Sequence, residues 1–149
     1  MIIYREYRDK DWTAICNIHD RARPYELAGS CDPRGFIPIE QDAEVEDLKR
    51  SRKYVASIEE QVVGFVGVDE DYLAWLYVDP DHYRKGIGRT LLKLGLGEIG
   101  GDAWTIVLDG NYKAIALYES EGFKEVKRFE GDNNGYPCTC LRLERKKPG

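Results

Sequence analysis

Two short stretches of this chain gather residue types that could do chemistry. The first is Arg84-Lys85-Gly86-Ile87-Gly88-Arg89-Thr90. Gly86 and Gly88 permit a tight bend that exposes backbone N–H groups. A helix that starts there aims its free N–H groups and the positive end of its dipole at one spot. That makes an anion site suited to a phosphate, and Arg84, Lys85 and Arg89 add positive charge around it. The second stretch is Asn111-x-x-Ala114-x-x-x-Tyr118. These positions fall at i, i+3 and i+7 and so form one helical stripe. It combines an amide, a small side chain and a phenol that carries a proton at neutral pH.

The elements that must position these groups follow from the flanking sequence. Residues 72–78 are apolar or aromatic throughout, which predicts a central strand covered on both faces. Asp79-Pro80 ends it, because proline lacks an N–H and restricts its predecessor. The helix after the loop runs to Ile99, with Ile87, Leu91 and Leu94 beside Leu92, Leu96 and Ile99 as a wide apolar face. Gly95 and Gly97 within it suggest close packing, and Gly100-Gly101 ends it. Trp104–Leu108 reads as a buried strand. Asn111 is a good N-cap for a helix Tyr112–Glu121, which Gly122 closes.

Neither common nucleotide loop fits the glycines. A P-loop continuation is missing after Gly86, and Leu91 stands where a dinucleotide fingerprint needs its third glycine. The run Val78-Asp79-Pro80 through Lys85-Gly86-Ile87-Gly88-Arg89 to Leu91-Leu92 instead resembles the acetyl-CoA loop of the GNAT superfamily of N-acetyltransferases. The family pattern is Arg/Gln-x-x-Gly-x-Gly/Ala, and here Tyr83 holds the first position with Arg84 one place later. The stretch Asn111 to Phe123 resembles the family's Asn-x-x-Ala-x-x-x-Tyr-x-x-x-Gly-Phe. The likeness covers residues 54–143 well and residues 1–53 only as strand, two helices and loop.

The resemblance implies an α/β (α+β) fold with a mixed, mostly antiparallel sheet of about six to seven strands and about four helices. It implies acetyl-CoA as co-substrate and direct attack by a primary amine of a small molecule or peptide. The N–H groups of Arg84, Lys85, Gly86, Ile87, Gly88, Arg89 and Thr90 would hold the pyrophosphate. Leu76 and Val78, with Tyr77 between, would offer backbone to the pantetheine arm. Asn111 would hydrogen-bond that arm, and Ala114 would leave it room. The N–H of Leu76 or Tyr77, beside a bulge, would meet the developing oxyanion. Tyr118 would protonate the leaving thiolate. Glu70, Asp71 and His19 are the available bases, directly or through water.

At 149 residues the chain reads as one domain, residues 1–149, large enough to bury a core without staples. A formal net charge of −5 argues against a nucleic-acid partner. With Cys16, Cys31, Cys138, Cys140 and two histidines there is no zinc pattern, so no metal is expected. Reduced structural thiols are the expected reading of the cysteines, a disulfide or catalytic thiol the alternative. No apolar signal core and no membrane-length run occur, so a cytoplasmic protein without a membrane partner is expected. Oligomeric state stays open, a homodimer included.

Toward the N-terminus, Ile2–Tyr7 reads as a strand. Trp12, Ile15, Cys16, His19 and Ala22 form one helical face, with Pro24 marking its end. Residues 24–38 read as a long irregular connection; the resemblance implies that it lies on the acceptor side, with Tyr25, Cys31 and Phe36 as lining candidates or as loop packing. Glu40–Arg50 reads as a second helix whose acids, Glu40, Asp42, Glu44, Glu46 and Asp47, either form a solvated face or attract a cationic acceptor. Tyr54–Ile58 and Val62–Val68 read as a hairpin, and residues 123–130 and 136–143 as two final strands. Two alternatives from other classes remain: a catalytically silent acyl-CoA-binding or interaction domain on the same fold, and a nucleotide-binding domain.

Overall fold

A computed structural model describes all residues, Met1–Gly149. Seven strands form one sheet: β1 (Ile2–Glu6), β2 (Arg52–Ile58), β3 (Gln61–Asp69), β4 (Tyr72–Val78), β5 (Ala103–Leu108), β6 (Lys124–Asn133) and β7 (Tyr136–Arg145). Their order is β1-β2-β3-β4-β5-β7-β6, antiparallel except for the parallel β4–β5 pair. Four α-helices accompany it: α1 (Trp12–Leu27), α2 (Val45–Arg50), α3 (Ile87–Ile99) and α4 (Tyr112–Ser120). The sheet and helix count match the expected mixed fold.

Alternation along the central strands sends side chains to two cores. Val55, Phe65 and Trp75 pack with Ile15, Ile18 and Leu48 of α1 and α2. Ala56, Val66 and Leu73 pack on the other face with Leu91, Leu92 and Leu96 of α3. A side chain on Gly95 would lie 3.0 Å from Val66 and 3.2 Å from Leu73, so α3 approaches the sheet closely there. Gly97 faces open space and, contrary to expectation, has no close packing to explain it.

The parallel pair determines the architecture of the site. β4 and β5 meet only at Tyr72 and Trp104 and then diverge. The closed end of this V is pinned by the stacked Tyr72 and Trp104 rings, 4.0 Å apart. There the Trp104 indole N–H also donates to Asp71 at 3.0 Å. Part-way along the opening, Thr105 Oγ1 donates to the Leu73 carbonyl at 2.8 Å.

Three local expectations change. Helix α1 continues through Pro24 to Leu27, because proline forfeits its own N–H while its carbonyl still accepts from Ala28 at 3.0 Å. Glu40–Arg50 is not one helix: a 3₁₀ turn spans Ile39–Gln41, and only Val45–Arg50 is α-helical. The Asp42 carboxylate accepts the Glu44 N–H at 2.8 Å and so competes with helix formation there. Cys31 and Cys138 form a disulfide, contrary to the expectation of reduced thiols, while Cys16 and Cys140 are free. Sequence spacing gave no sign of the pair because it joins residues separated by 107 positions.

Candidate active site

The glycine loop lies at the C-terminal end of β4, where the V has opened. Arg84 and Gly86 both take left-handed backbone, with φ of 67° and 75°. Successive N–H groups therefore turn toward one side, as in an anion-binding nest. No backbone acceptor in the protein takes the N–H of any residue from Arg84 to Arg89; the first helical bond runs from Thr90 to Gly86 at 3.2 Å. Gly86 opens onto free space, and the nearest atoms to a side chain at Gly88 would be 3.8 Å away. The cradle is thus a row of unpaired donors with room in front of it.

A cavity of about 770 Å³ extends from this loop along the opening of the V to α4. Leu76, Tyr77, Val78, Arg84, Gly86, Ile87, Gly88, Arg89, Asn111, Ala114 and Tyr118 all line it. Lys85 and Thr90 do not, and the Thr90 hydroxyl donates to Gly86 O at 3.2 Å. The Arg89 guanidinium turns to Ser120 and Glu121, at 2.9 and 2.5 Å, so its charge is shared with α4. Asn111 is the N-cap residue of α4, but its side chain makes no capping bond and remains available to the groove.

The ladder between β3 and β4 determines which backbone groups face the groove. Asp79 N–H donates to Val63 O at 2.8 Å, and register pairs Val78 with Gly64, Tyr77 with Phe65 and Leu76 with Val66. In an antiparallel ladder bonded and non-bonded pairs alternate. Tyr77 therefore directs its N–H and C=O to β3, while Leu76 and Val78 direct theirs into the gap that β5 leaves. A bulge sits at Ala74, where Gly67 faces Trp75 and Val68 faces Leu73.

A second cavity of about 540 Å³ lies on the other side of the same strands. Asp42, Ala43, Glu44 and Asp47 form one wall, and Asp132, Asn133 and Asn134 of the β6–β7 hairpin form another. The segment between α1 and α2 is fixed over it by the Cys31–Cys138 bond and by Asn134 Nδ2, which donates to Gly35 O at 2.8 Å. Phe36 lines this cavity, whereas Tyr25 belongs to α1 and stands 65% exposed beside the groove. The lining is acidic. Crowding by protein, with Asp42 and Asp47 beside it, raises the Glu44 carboxyl above its usual value. Trp75, only 6% exposed, has an indole N–H without an acceptor, and Asn133 Nδ2 is likewise unpaired. Of the acids read as a solvated face, Glu40 and Glu46 stay outside this cavity.

The two cavities meet at Tyr118, Tyr77 and Glu26, with Leu76, Ile106 and Val107. Tyr118 is 7% exposed and packs edge-on against Phe123, with ring centres 5.3 Å apart. Burial drives its phenol well above the ordinary range, the nearby Thr105 hydroxyl opposes this, and the Glu26 charge adds to it. Burial acts likewise on Tyr77, reinforced by Glu26.

Sequence reasoning missed Glu26, because a helix ending at Pro24 leaves residue 26 in an irregular loop. It also missed His82, which lines the groove with a buried, unpartnered Nδ1. No local signal marks either residue. A larger concavity of about 940 Å³ lies beside β1 and α1 and contains neither Tyr118 nor the glycine loop.

A splayed parallel pair, with a nest of N–H groups at its mouth and a buried phenol between two cavities, offers a groove whose donors fit a phosphate-bearing ligand. Residues 49–125 match the acetyltransferase (GNAT) domain family, and the chain belongs to that family. It is an N-acetyltransferase whose co-substrate is acetyl-CoA. The uncharacterized N-acetyltransferase YafP of Escherichia coli is 29% identical over 127 residues, covering 83% of this chain and 82% of YafP. The peptidyl-lysine N-acetyltransferase YjaB of E. coli is 34% identical over 114 residues, covering 72% of this chain and 77% of YjaB. A GCN5-related N-acetyltransferase from Rhodopseudomonas palustris superposes with a TM-score of 0.84 at 18% identity, over 97% of this chain and 95% of that one, which supports the fold.

Proposed function

We propose that residues 1–149 act as one domain that transfers acetyl from acetyl-CoA, bound in the groove, to a primary amine of a peptide that enters through the acidic cavity. The observation that carries this reading is the meeting of the two cavities at Tyr118. The unpaired N–H groups from Arg84 to Arg89 fit a pyrophosphate, and the free edges of Leu76 and Val78 fit the amides of a pantetheine arm. Asn111 has an amide to offer the same arm, and Ala114 leaves it room.

The chain's own groups then perform the chemistry. The Leu76 N–H, rather than that of Tyr77, is the donor for the developing oxyanion, since Tyr77 is committed to β3. A preset donor of this kind contributes about 3 kcal/mol. Tyr118 holds its proton at all ordinary pH values and gives it to the departing sulfur. The carboxylates of Asp42, Glu44 and Asp132 attract an ammonium group. A peptide also brings carbonyl oxygens for the unpaired N–H groups of Trp75 and Asn133, and YjaB is named for a peptidyl-lysine acceptor. The acidic chain suits neither a nucleic-acid nor a membrane partner, and no helix is long and apolar enough to cross a membrane. We place the activity in the cytoplasm, where acetyl-CoA is available.

The test is thiol release from acetyl-CoA with a basic hexapeptide carrying a free α-amine and one lysine. Acetylated peptide formed in step with free CoA is the expected result. Acetyl-CoA binding without turnover on this peptide or on a panel of small amines would favour the silent acyl-CoA-binding reading.

A further inference from the structure

Transfer to an ammonium also requires removal of a proton from the acceptor nitrogen. The groups singled out in the sequence are badly placed for it. Glu70 and Asp71 lie in the β3–β4 turn beside the closed end of the V, and Asp71 is held by Trp104. His19 lines the acidic cavity but not the groove, its Nδ1 lies 3.0 Å from Asp20, and burial lowers its pKa.

Among the residues common to both cavities only Glu26 carries a carboxylate. We propose that Glu26, at the meeting point of the groove and the acidic cavity, is the base that takes the proton from the acceptor ammonium. This inference rests on the transfer reading given above. Glu26 sits on the last turn of α1 with its side chain 27% exposed, so it is fixed yet open to water. Arg23, one turn earlier, donates to Oε1 at 3.0 Å and orients the group. Tyr77 of β4, Tyr118 of α4 and Tyr83 of the glycine loop all feel its charge. Glu44 faces the same Arg23 from the segment before α2. The three phenols have raised pKa values and keep their protons, which leaves Glu26 as the only carboxylate at the junction.

The step balances as follows. One ammonium N–H bond breaks, its proton passes to a Glu26 oxygen, and its electron pair remains on nitrogen. That pair forms the bond to the thioester carbonyl carbon. The C–S bond breaks and the sulfur takes the Tyr118 proton. The surplus proton on the new amide nitrogen restores Tyr118, and Glu26 releases its own to water.

The test compares E26Q and E26D with wild type, using acetyl-CoA and the basic hexapeptide from pH 6 to pH 10. For E26Q we expect kcat to fall about 10²–10³-fold at pH 7, the size typical of a lost general base. The deficit should shrink as pH nears about 10, where a lysine amine arrives neutral. Acetyl-CoA affinity should stay at the wild-type value, and E26D should keep an intermediate rate. An E26Q deficit independent of pH, or an unchanged rate, overturns the role of Glu26 while leaving the transfer reading intact. Wild-type protein that turns over no amine overturns the transfer reading and this inference with it.

Discussion

Two tasks meet in Tyr118: its ring is packed against Phe123, and the residue lines both cavities where they meet. The packing is the ordinary task of an apolar helix stripe, and the passage is a consequence of the V between β4 and β5. Burial raises the phenol above its usual value of about 10. The sign of that shift has a kinetic consequence. A group whose pKa is raised remains an acid at higher pH, so no alkaline loss of kcat from Tyr118 is expected below pH about 10. Y118F removes the proton but keeps the ring. It should lower kcat about 10²-fold and leave the dissociation constant for acetyl-CoA nearly unchanged, as steady-state kinetics and calorimetry would measure. An unchanged kcat would remove Tyr118 from the mechanism.

The element proposed to hold the cofactor is the turn from β4 into α3. Backbone outweighs side chains there: Arg89 is engaged by Glu121, Lys85 does not line the groove, and the N–H row remains unpaired. A side chain at Gly88 would have ordinary contacts with Leu117 and Val78 at 3.8 Å. G88A should therefore bind acetyl-CoA nearly as wild type does. G88D brings a carboxylate to the proposed phosphate position and should weaken acetyl-CoA binding at least about 100-fold, read by calorimetry at an unchanged melting temperature. Equal affinity for G88D and wild type would show that the phosphates bind elsewhere. Helix α1 illustrates how one residue reshapes a site. Its passage through Pro24 places Glu26 and Tyr25 on a regular turn beside the groove, and Leu27 in the small core with Leu108 and Cys138.

For the whole molecule, what could be read in the sequence was what depends on local spacing. The glycines at 86 and 88, the apolar run 72–78 and the stripe Asn111–Ala114–Tyr118 each fall within a few turns of chain, and the structure brings them to one groove. The acidic cavity was not legible, because Asp42, Glu44 and Asp132 meet only after the segment between α1 and α2 folds onto the β6–β7 hairpin. Asp42 breaks the helix that its neighbours suggest, and that break turns a face read as solvated into a cavity wall. The divergence of β4 and β5 was equally hidden, since both strands read as continuous apolar runs. The disulfide between Cys31 and Cys138 is a product of the same long-range closure.

The central claim is that groove and cavity form one continuous site through Tyr118. It is tested most directly with a bisubstrate conjugate in which the lysine amine of the basic hexapeptide is joined through an acetyl bridge to the sulfur of CoA. Calorimetric titration should give a dissociation constant at least about 100-fold below that of CoA alone, because linking the two ligands makes the second binding event intramolecular. A conjugate that binds no tighter than CoA would contradict the account.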